Sequence, residues 1–158
     1  MLGKTYDTQI CSIARSLELV GERWSLLIIR DALFAGVTRF GDFQHNLGIA
    51  TNVLAARLDA FVSSGIMRRE GSADYMLTAK GSALATALIA LTEWGDEWAA
   101  PGAPPILYQH GSCGRHVSAQ VVCEECGVIG SGEAKVQIGP GMPAEYVAAR
   151  RGGRRAVG

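Results

Sequence analysis

The run Phe40-Gly41-Asp42-Phe43-Gln44-His45-Asn46-Leu47-Gly48-Ile49-Ala50-Thr51-Asn52-Val53-Leu54-Ala55-Ala56-Arg57-Leu58 decides the fold. Phe40, Phe43 and Leu47 recur at helical spacing, which predicts a short helix over about 40–47. Gly48 follows where that helix must stop, since glycine enters the left-handed cap conformation without strain. A second helix is predicted to begin around Ile49–Thr51 and end at Gly65. Its apolar face is Val53, Leu54, Leu58, Phe61 and Val62. A short helix, a glycine turn and a second helix in succession form a helix-turn-helix.

Upstream, Ile10, Ile13, Ala14, Leu17 and Val20 predict a helix over about 10–20. Gly21-Glu22-Arg23 interrupts it. Trp24 to Leu33 follows, with Leu26-Leu27-Ile28-Ile29 apolar on every side, so this helix should be central and buried. Downstream, Ile66–Glu70 and Tyr75–Thr78 flank the polar turn Gly71–Asp74 and predict a hairpin, or wing. Thr78 is a good N-cap for a last helix over about 79–99. Leu84, Ala87, Leu88, Leu91, Trp94 and Trp98 form an apolar stripe on it. A small domain does not cover such a stripe at its own edge, so a second copy of the chain is the expected cover.

The 158 residues carry 15 Lys+Arg and 15 Asp+Glu, for a formal net charge of zero. This excludes a nonspecific polyanion binder, which needs a basic excess, but not a specific one with a local basic face. No apolar run is long enough to cross a membrane. Met1–Asp7 has no apolar signal core, so a cytoplasmic location is expected. The composition shifts at Pro101-Gly102-Ala103-Pro104-Pro105, a breaker cluster. Beyond residue 100 lie eleven of the 20 glycines and three of the four cysteines, with short apolar runs that suggest small strands. The expected organisation is a domain over 1–100, a small β-rich region over 101–149 and a mobile basic tail over 150–158. The fold class is mainly α, or α+β: a winged helix-turn-helix with a small β-rich C-terminal appendage.

Residues 11–98 resemble the HxlR-type transcriptional regulators, winged helix-turn-helix proteins related to the MarR group. The segments that carry the resemblance are Cys11–Val20, Gly21–Arg30, Arg39–Phe43, Gly48–Leu58, Gly65–Arg69, Tyr75–Gly81 and Trp94-Gly95. Two departures stand out. The wing turn is short and lacks a proline before Tyr75, and Ser12 occupies the place of a usual proline. The resemblance implies a homodimeric, sequence-specific regulator that binds double-stranded DNA.

In that frame the helix over about 50–63 would enter the major groove, where each base pair shows a distinct donor and acceptor pattern. Its outward positions are Thr51, Asn52, Ala55, Ala56 and Asp59. Asn52 suits adenine, or acts as a local cap. Thr51 suits a phosphate or a thymine methyl, and Ala55 permits close approach. Arg57, at the shoulder, either clamps a phosphate or a guanine edge or pairs with Asp59 or Asp42. Arg39, Arg68, Arg69 and Lys80 are candidate backbone contacts. Successive strand residues alternate faces, so Arg68 and Arg69 should not point the same way. A twofold dimer should read an inverted repeat with half-sites about one helical turn apart. Its interface would use Leu84, Leu88, Leu91, Trp94 and Trp98 with the N-terminal helix.

Cys11 begins the first helix and matches the cysteine that senses electrophiles or oxidants in some relatives of the resembled family. A helix N-terminus lowers a thiol pKa, although a cysteine is as readily a small hydrophobe. In the tail, Cys123 and Cys126 have zinc-knuckle spacing. Cys113 with His110, or with His116, would complete four ligands for a structural zinc. The competing reading is a small β-unit with reduced cysteines. No Gly-x-Ser-x-Gly, P-loop or His-Glu-x-x-His pattern is present, so no enzyme is expected. Two function classes remain: a DNA-binding regulator, with a small-molecule effector among its expected partners, or a winged-helix dimer used as a protein-interaction or ligand-binding scaffold.

Overall fold

A computed structural model describes residues 5–6, 9–99 and 102–145. The chain divides into two compact units, residues 1–120 and 121–158. The boundary therefore lies about twenty residues beyond the proline cluster. The reason is local: the segment after the prolines belongs to the first unit. Tyr108 hydroxyl is 3.2 Å from Thr92 Oγ1, Glu93 accepts from the Ala119 N–H at 3.1 Å, and Gln109 bridges to His116.

The first unit runs α1 (Ser12–Val20), α2 (Ser25–Phe34), α3 (Phe40–Leu47), α4 (Thr51–Ser63), β1 (Met67–Glu70), β2 (Asp74–Leu77), α5 (Ala79–Ser82) and α6 (Ala85–Trp98). Helix α2 is the central element: it packs against α3, α6 and β2. Ile28 and Ile29 on α2 are fully buried, as are Phe43 on α3 and Leu54, Leu58 and Phe61 on α4. Burial of each such side chain stabilises the fold by about 1.5–3 kcal/mol. Gly48 closes α3 at φ 60°, the left-handed cap expected of it. The α3–α4 corner is then tied by Gln44 Nε2, which donates to Thr51 Oγ1 at 2.7 Å.

The hairpin pairs β1 and β2 antiparallel, with Met67 opposite Leu77 and Glu70 opposite Asp74. It is anchored to the α2–α3 connection, where Tyr75 N–H donates to Thr38 carbonyl at 2.8 Å and Thr38 Oγ1 donates to Asp74 Oδ1 at 2.7 Å. Thr78 caps α5, accepting from Gly81 N–H at 3.3 Å.

The single last helix expected over 79–99 is two helices. Gly81 marks a close approach in the short first one. A Cβ there would meet the Ile66 carbonyl oxygen at 2.3 Å, so α5 presses its backbone onto the strand entering β1. The chain passes through Ala83 and Leu84, both near helical backbone angles, before α6 starts.

The second unit holds β3 (Val121–Cys123) and β4 (Gly127–Ile129), paired antiparallel, and a single 3₁₀ turn at Ser131–Glu133. Its other described residues form turns and irregular chain, apart from Ala144 and Glu145, which are helical. The basic tail over 150–158 lies outside the described residues. No helix among the described residues is long and apolar enough to cross a membrane.

Candidate nucleic-acid interface

Helix α4 has no side-chain cap. Ala50 precedes it, and the Ala50 carbonyl accepts from the N–H groups of Val53 and Leu54. The face opposite Leu54, Leu58 and Phe61 is open: Thr51, Asn52, Ala56, Asp59 and Ala60 are exposed, whereas Ala55 and Arg57 are only partly so. The outward edge of α4 is therefore short, small or polar. That shape suits a groove floor, since bulky side chains there would hold the helix away from base edges.

The basic residues frame this edge, and each has an acceptor of its own. Arg39 Nε lies 3.8 Å from Asp74 Oδ1, and Arg68 Nη1 lies 2.6 Å from Glu70 Oε2. Arg69 Nη2 lies 3.2 Å from Asp59 Oδ1, with its guanidinium 5.0 Å over the Tyr75 ring. Lys80 Nζ donates to the Ser64 carbonyl at 2.7 Å. Arg39, Arg68 and Arg69 keep more than half of their side chains exposed. Exposed pairs of this kind contribute about 0–1 kcal/mol, so a phosphate can displace the carboxylate at little cost.

Arg57 differs. Its partner is neither Asp59 nor Asp42 but Glu22, at 3.9 Å, and only 27% of its side chain is exposed. It lies on the flank of α4 toward the α1–α2 junction. The partner is 35 residues away in sequence, which is why a local reading misses it. Thr38, Gln44 and Asp74, none of them singled out from the sequence, hold the reading helix and wing in place. Their signal lies only in tertiary pairing.

The apolar stripe on α6 also divides. Leu88 is buried at 7% exposure and belongs to this chain's own core, and Leu84 packs against that core. Leu88 is therefore withdrawn from any intermolecular surface. Leu91, Trp94 and Trp98 are 50%, 58% and 69% exposed, and Ile13 and Leu17 on α1 are exposed too.

Cys11 is the N-cap of α1. Its Sγ accepts from Ala14 N–H at 3.4 Å, and the residue is exposed. In the first unit, His110 Nδ1 lies 3.2 Å from Cys113 Sγ. In the second, Cys123 and Cys126 flank the β3–β4 turn, with Gly127 at φ 76°. Backbone N–H bonds from Cys126 and then Glu125, with the Cys126 side chain, hold the Cys123 thiol below its ordinary pKa. Among the described residues, neither unit by itself gathers three His, Cys, Asp or Glu side chains around a metal position.

A family model described as HxlR-like helix-turn-helix matches residues 19–103. The chain is 41% identical over 142 residues to Rv3095 of Mycobacterium tuberculosis H37Rv, named an uncharacterized HTH-type transcriptional regulator. That alignment covers 85% of this chain and 89% of the relative. Among solved structures, PA1607, a candidate transcription factor, aligns with a TM-score of 0.72 at 37% identity. It covers 84% of this chain and 97% of its own. Quinone-bound YodB of B. subtilis aligns with a TM-score of 0.51 at 31% identity, over 56% of this chain and all of YodB.

Proposed function

The chain belongs to the HxlR-like helix-turn-helix family of transcriptional regulators, and from that premise we propose that it binds an inverted-repeat DNA operator as a homodimer. The observation that carries the reading is the α4 edge. It is exposed, built of Thr51, Asn52, Ala56 and Asp59, and framed by Arg39, Arg68, Arg69 and Lys80 in displaceable pairs. Thr51 and Asn52 face base edges; Ala55 and Ala56 allow the approach; the framing cations meet phosphates. Arg57 contacts the backbone from the flank once it exchanges Glu22 for a phosphate. Leu91, Trp94 and Trp98 meet their symmetry mates with α1, because three large apolar side chains this exposed mark an association surface.

Cys11 is the proposed electrophile sensor. Its exposed thiol caps a helix, and the similar YodB has been solved with a quinone bound. The pair His110–Cys113 supplies an imidazole and a thiolate, and the pair Cys123–Cys126 two thiolates, ligands of the kind structural zinc takes, and zinc binding is part of the proposal.

The test is selection of bound fragments from random duplex, followed by footprinting. The expected result is an inverted repeat with half-site centres about 34–36 Å apart. A single asymmetric half-site refutes the dimeric reading. Absence of any enriched sequence refutes operator binding and favours the scaffold reading.

A further inference from the structure

The second unit carries two thiols in one turn. Cys123 ends β3 opposite Gly127 of β4, and Glu124–Cys126 between them is a turn. Gly127 takes the left-handed φ of 76° that lets the chain enter β4 at once. Cys123 and Cys126 are thus the two ends of a four-residue turn, whose Cα atoms stand within about 7 Å. A disulfide spans Cα separations of about 4.4–6.8 Å, so bridging needs little backbone movement. The Cys126 side chain and N–H both reach the Cys123 sulfur. Cys126 is exposed and Cys123 partly so, which leaves the pair open to a small reagent.

No other thiol competes within this unit. Cys11 and Cys113 lie in the first unit, where Cys113 Sγ has its own neighbour, His110 Nδ1 at 3.2 Å. Among the described residues of the second unit, no third His, Cys, Asp or Glu joins the pair around a metal position. The pair also lies beyond residues 19–103, which the family model matches. Two adjacent thiols have a reaction that a single thiol lacks, which is closure on each other. The rest of the turn sets the choice of reagent. Glu124 and Glu125 are both exposed between the cysteines. Two carboxylates beside the sulfurs attract a cationic reagent and repel an anionic one.

We propose that Cys123 and Cys126 form a dithiol–disulfide couple, a redox modification site separate from Cys11, that exchanges with cationic disulfides of small aminothiols in preference to anionic ones. One cysteine thiolate attacks a sulfur of the reagent and expels one small thiolate. The second cysteine then attacks the sulfur of the first and expels the other. The two cysteine sulfurs give up two electrons, the reagent disulfide takes them, and the two thiol protons leave on the two small thiols released. The couple does not rest on the zinc reading. It limits that reading, because a closed disulfide offers no thiolate to a metal.

The probe is cystamine, with the dianion 3,3′-dithiodipropionate as its anionic counterpart. The full chain is treated, free thiols are blocked with N-ethylmaleimide, and the unreduced protein is digested with trypsin for mass spectrometry. Cleavage after Arg115 and Lys135 puts both cysteines on the peptide 116–135, with Cys11 and Cys113 on others. The expected product is that peptide two hydrogens lighter, without maleimide, and restored by dithiothreitol. Cys123→Ser and Cys126→Ser should each keep a cysteamine adduct on the remaining cysteine, since no second thiol expels it. A stable adduct on the unaltered chain, a link from 116–135 to another peptide, or no reaction overturns the couple. Cystamine should close the disulfide faster than the dianion by about threefold or more at low salt. The gap should narrow as salt rises and close in Glu124→Gln/Glu125→Gln. Equal rates on the unaltered chain overturn the preference. Zinc content measured before treatment keeps the two readings apart. A zinc-free chain that closes the disulfide overturns zinc binding alone, and a zinc-loaded chain whose peptide stays open overturns the couple alone.

Discussion

Asp59 projects from the exposed edge of α4 and pairs with Arg69 at 3.2 Å, with 66% of its own side chain exposed. If α4 lies in the major groove, this carboxylate faces phosphates, and Asp59→Asn should strengthen binding to random duplex. At about 8 Å from a phosphate in a water-like dielectric, one unit charge contributes roughly 0.5 kcal/mol. Two copies in a dimer give about 1 kcal/mol, or roughly fivefold in Kd. Release of Arg69 for a phosphate adds to that. The fold should tolerate the change, because the exposed pair contributes no more than about 1 kcal/mol. Fluorescence anisotropy on a labelled random duplex, at low and at physiological salt, reads the effect. The gain should shrink as salt rises, since the screening length falls to about 8 Å near 0.15 M. Glu97→Gln, the same charge change on exposed α6, controls for net charge and should do little. An Asp59→Asn protein that binds no better than the Glu97→Gln protein refutes the placement of α4 against DNA.

Gly81→Ala places a Cβ 2.3 Å from the Ile66 carbonyl oxygen and 2.7 Å from Leu77 Cδ2. It should destabilise by about 1–3 kcal/mol, lowering the urea midpoint by roughly 1 M for an m-value near 2 kcal/mol/M. Gly41→Ala, in the helical Phe40–Leu47 with open space around the new Cβ, should instead raise stability by up to about 1 kcal/mol; both are read by urea unfolding at one fixed protein concentration. Arg57→Ala should weaken operator binding by about tenfold in a gel shift while leaving the circular dichroism melt in place, and unchanged affinity removes Arg57 from the contacts. Cys11→Ser should abolish any release of operator by a quinone; retained release sinks the sensor role. Protein purified without chelator should carry about one zinc per chain by metal analysis, lost in Cys126→Ser, and less than about half an equivalent counts against zinc.

The helices from α1 to α4 and the hairpin were legible because their apolar residues keep a strict period and their ends carry Gly48, Gly65 and Thr78. What stayed hidden depends on contacts between distant segments. The close approach of Gly81 to the Ile66 carbonyl, and the interruption between α5 and α6 at Ala83–Leu84, are not reported by helical periodicity. Leu88 and Trp94 look alike along the stripe, yet α6 turns one into the core and leaves the other exposed. The extent of the first compact unit is equally hidden: the proline cluster signals a border, whereas Tyr108 and Ala119 return to α6.

The zero net charge acquires a local meaning in these pairs. Arg39, Arg57, Arg68 and Arg69 each have a carboxylate within 4 Å, so the framing surface is close to neutral before any ligand arrives. On the proposed reading, each phosphate contact exchanges one carboxylate for another anion, and the displaced carboxylate stays nearby and repels. The electrostatic gain per contact is therefore small, and random duplex should be held weakly at physiological salt. Operator affinity must then come mainly from fit along α4, where Thr51, Asn52 and the two alanines meet base edges. A binder with little nonspecific attraction in reserve is sensitive to small shifts in its reading helix and wing. The Gly36–Arg39 segment joins α2 to α3 and, through Thr38, holds the hairpin, so on this reading a modest rearrangement at the end of α2 would reach both. A strongly charged binder would need a larger one, because its long-range attraction tolerates misfit.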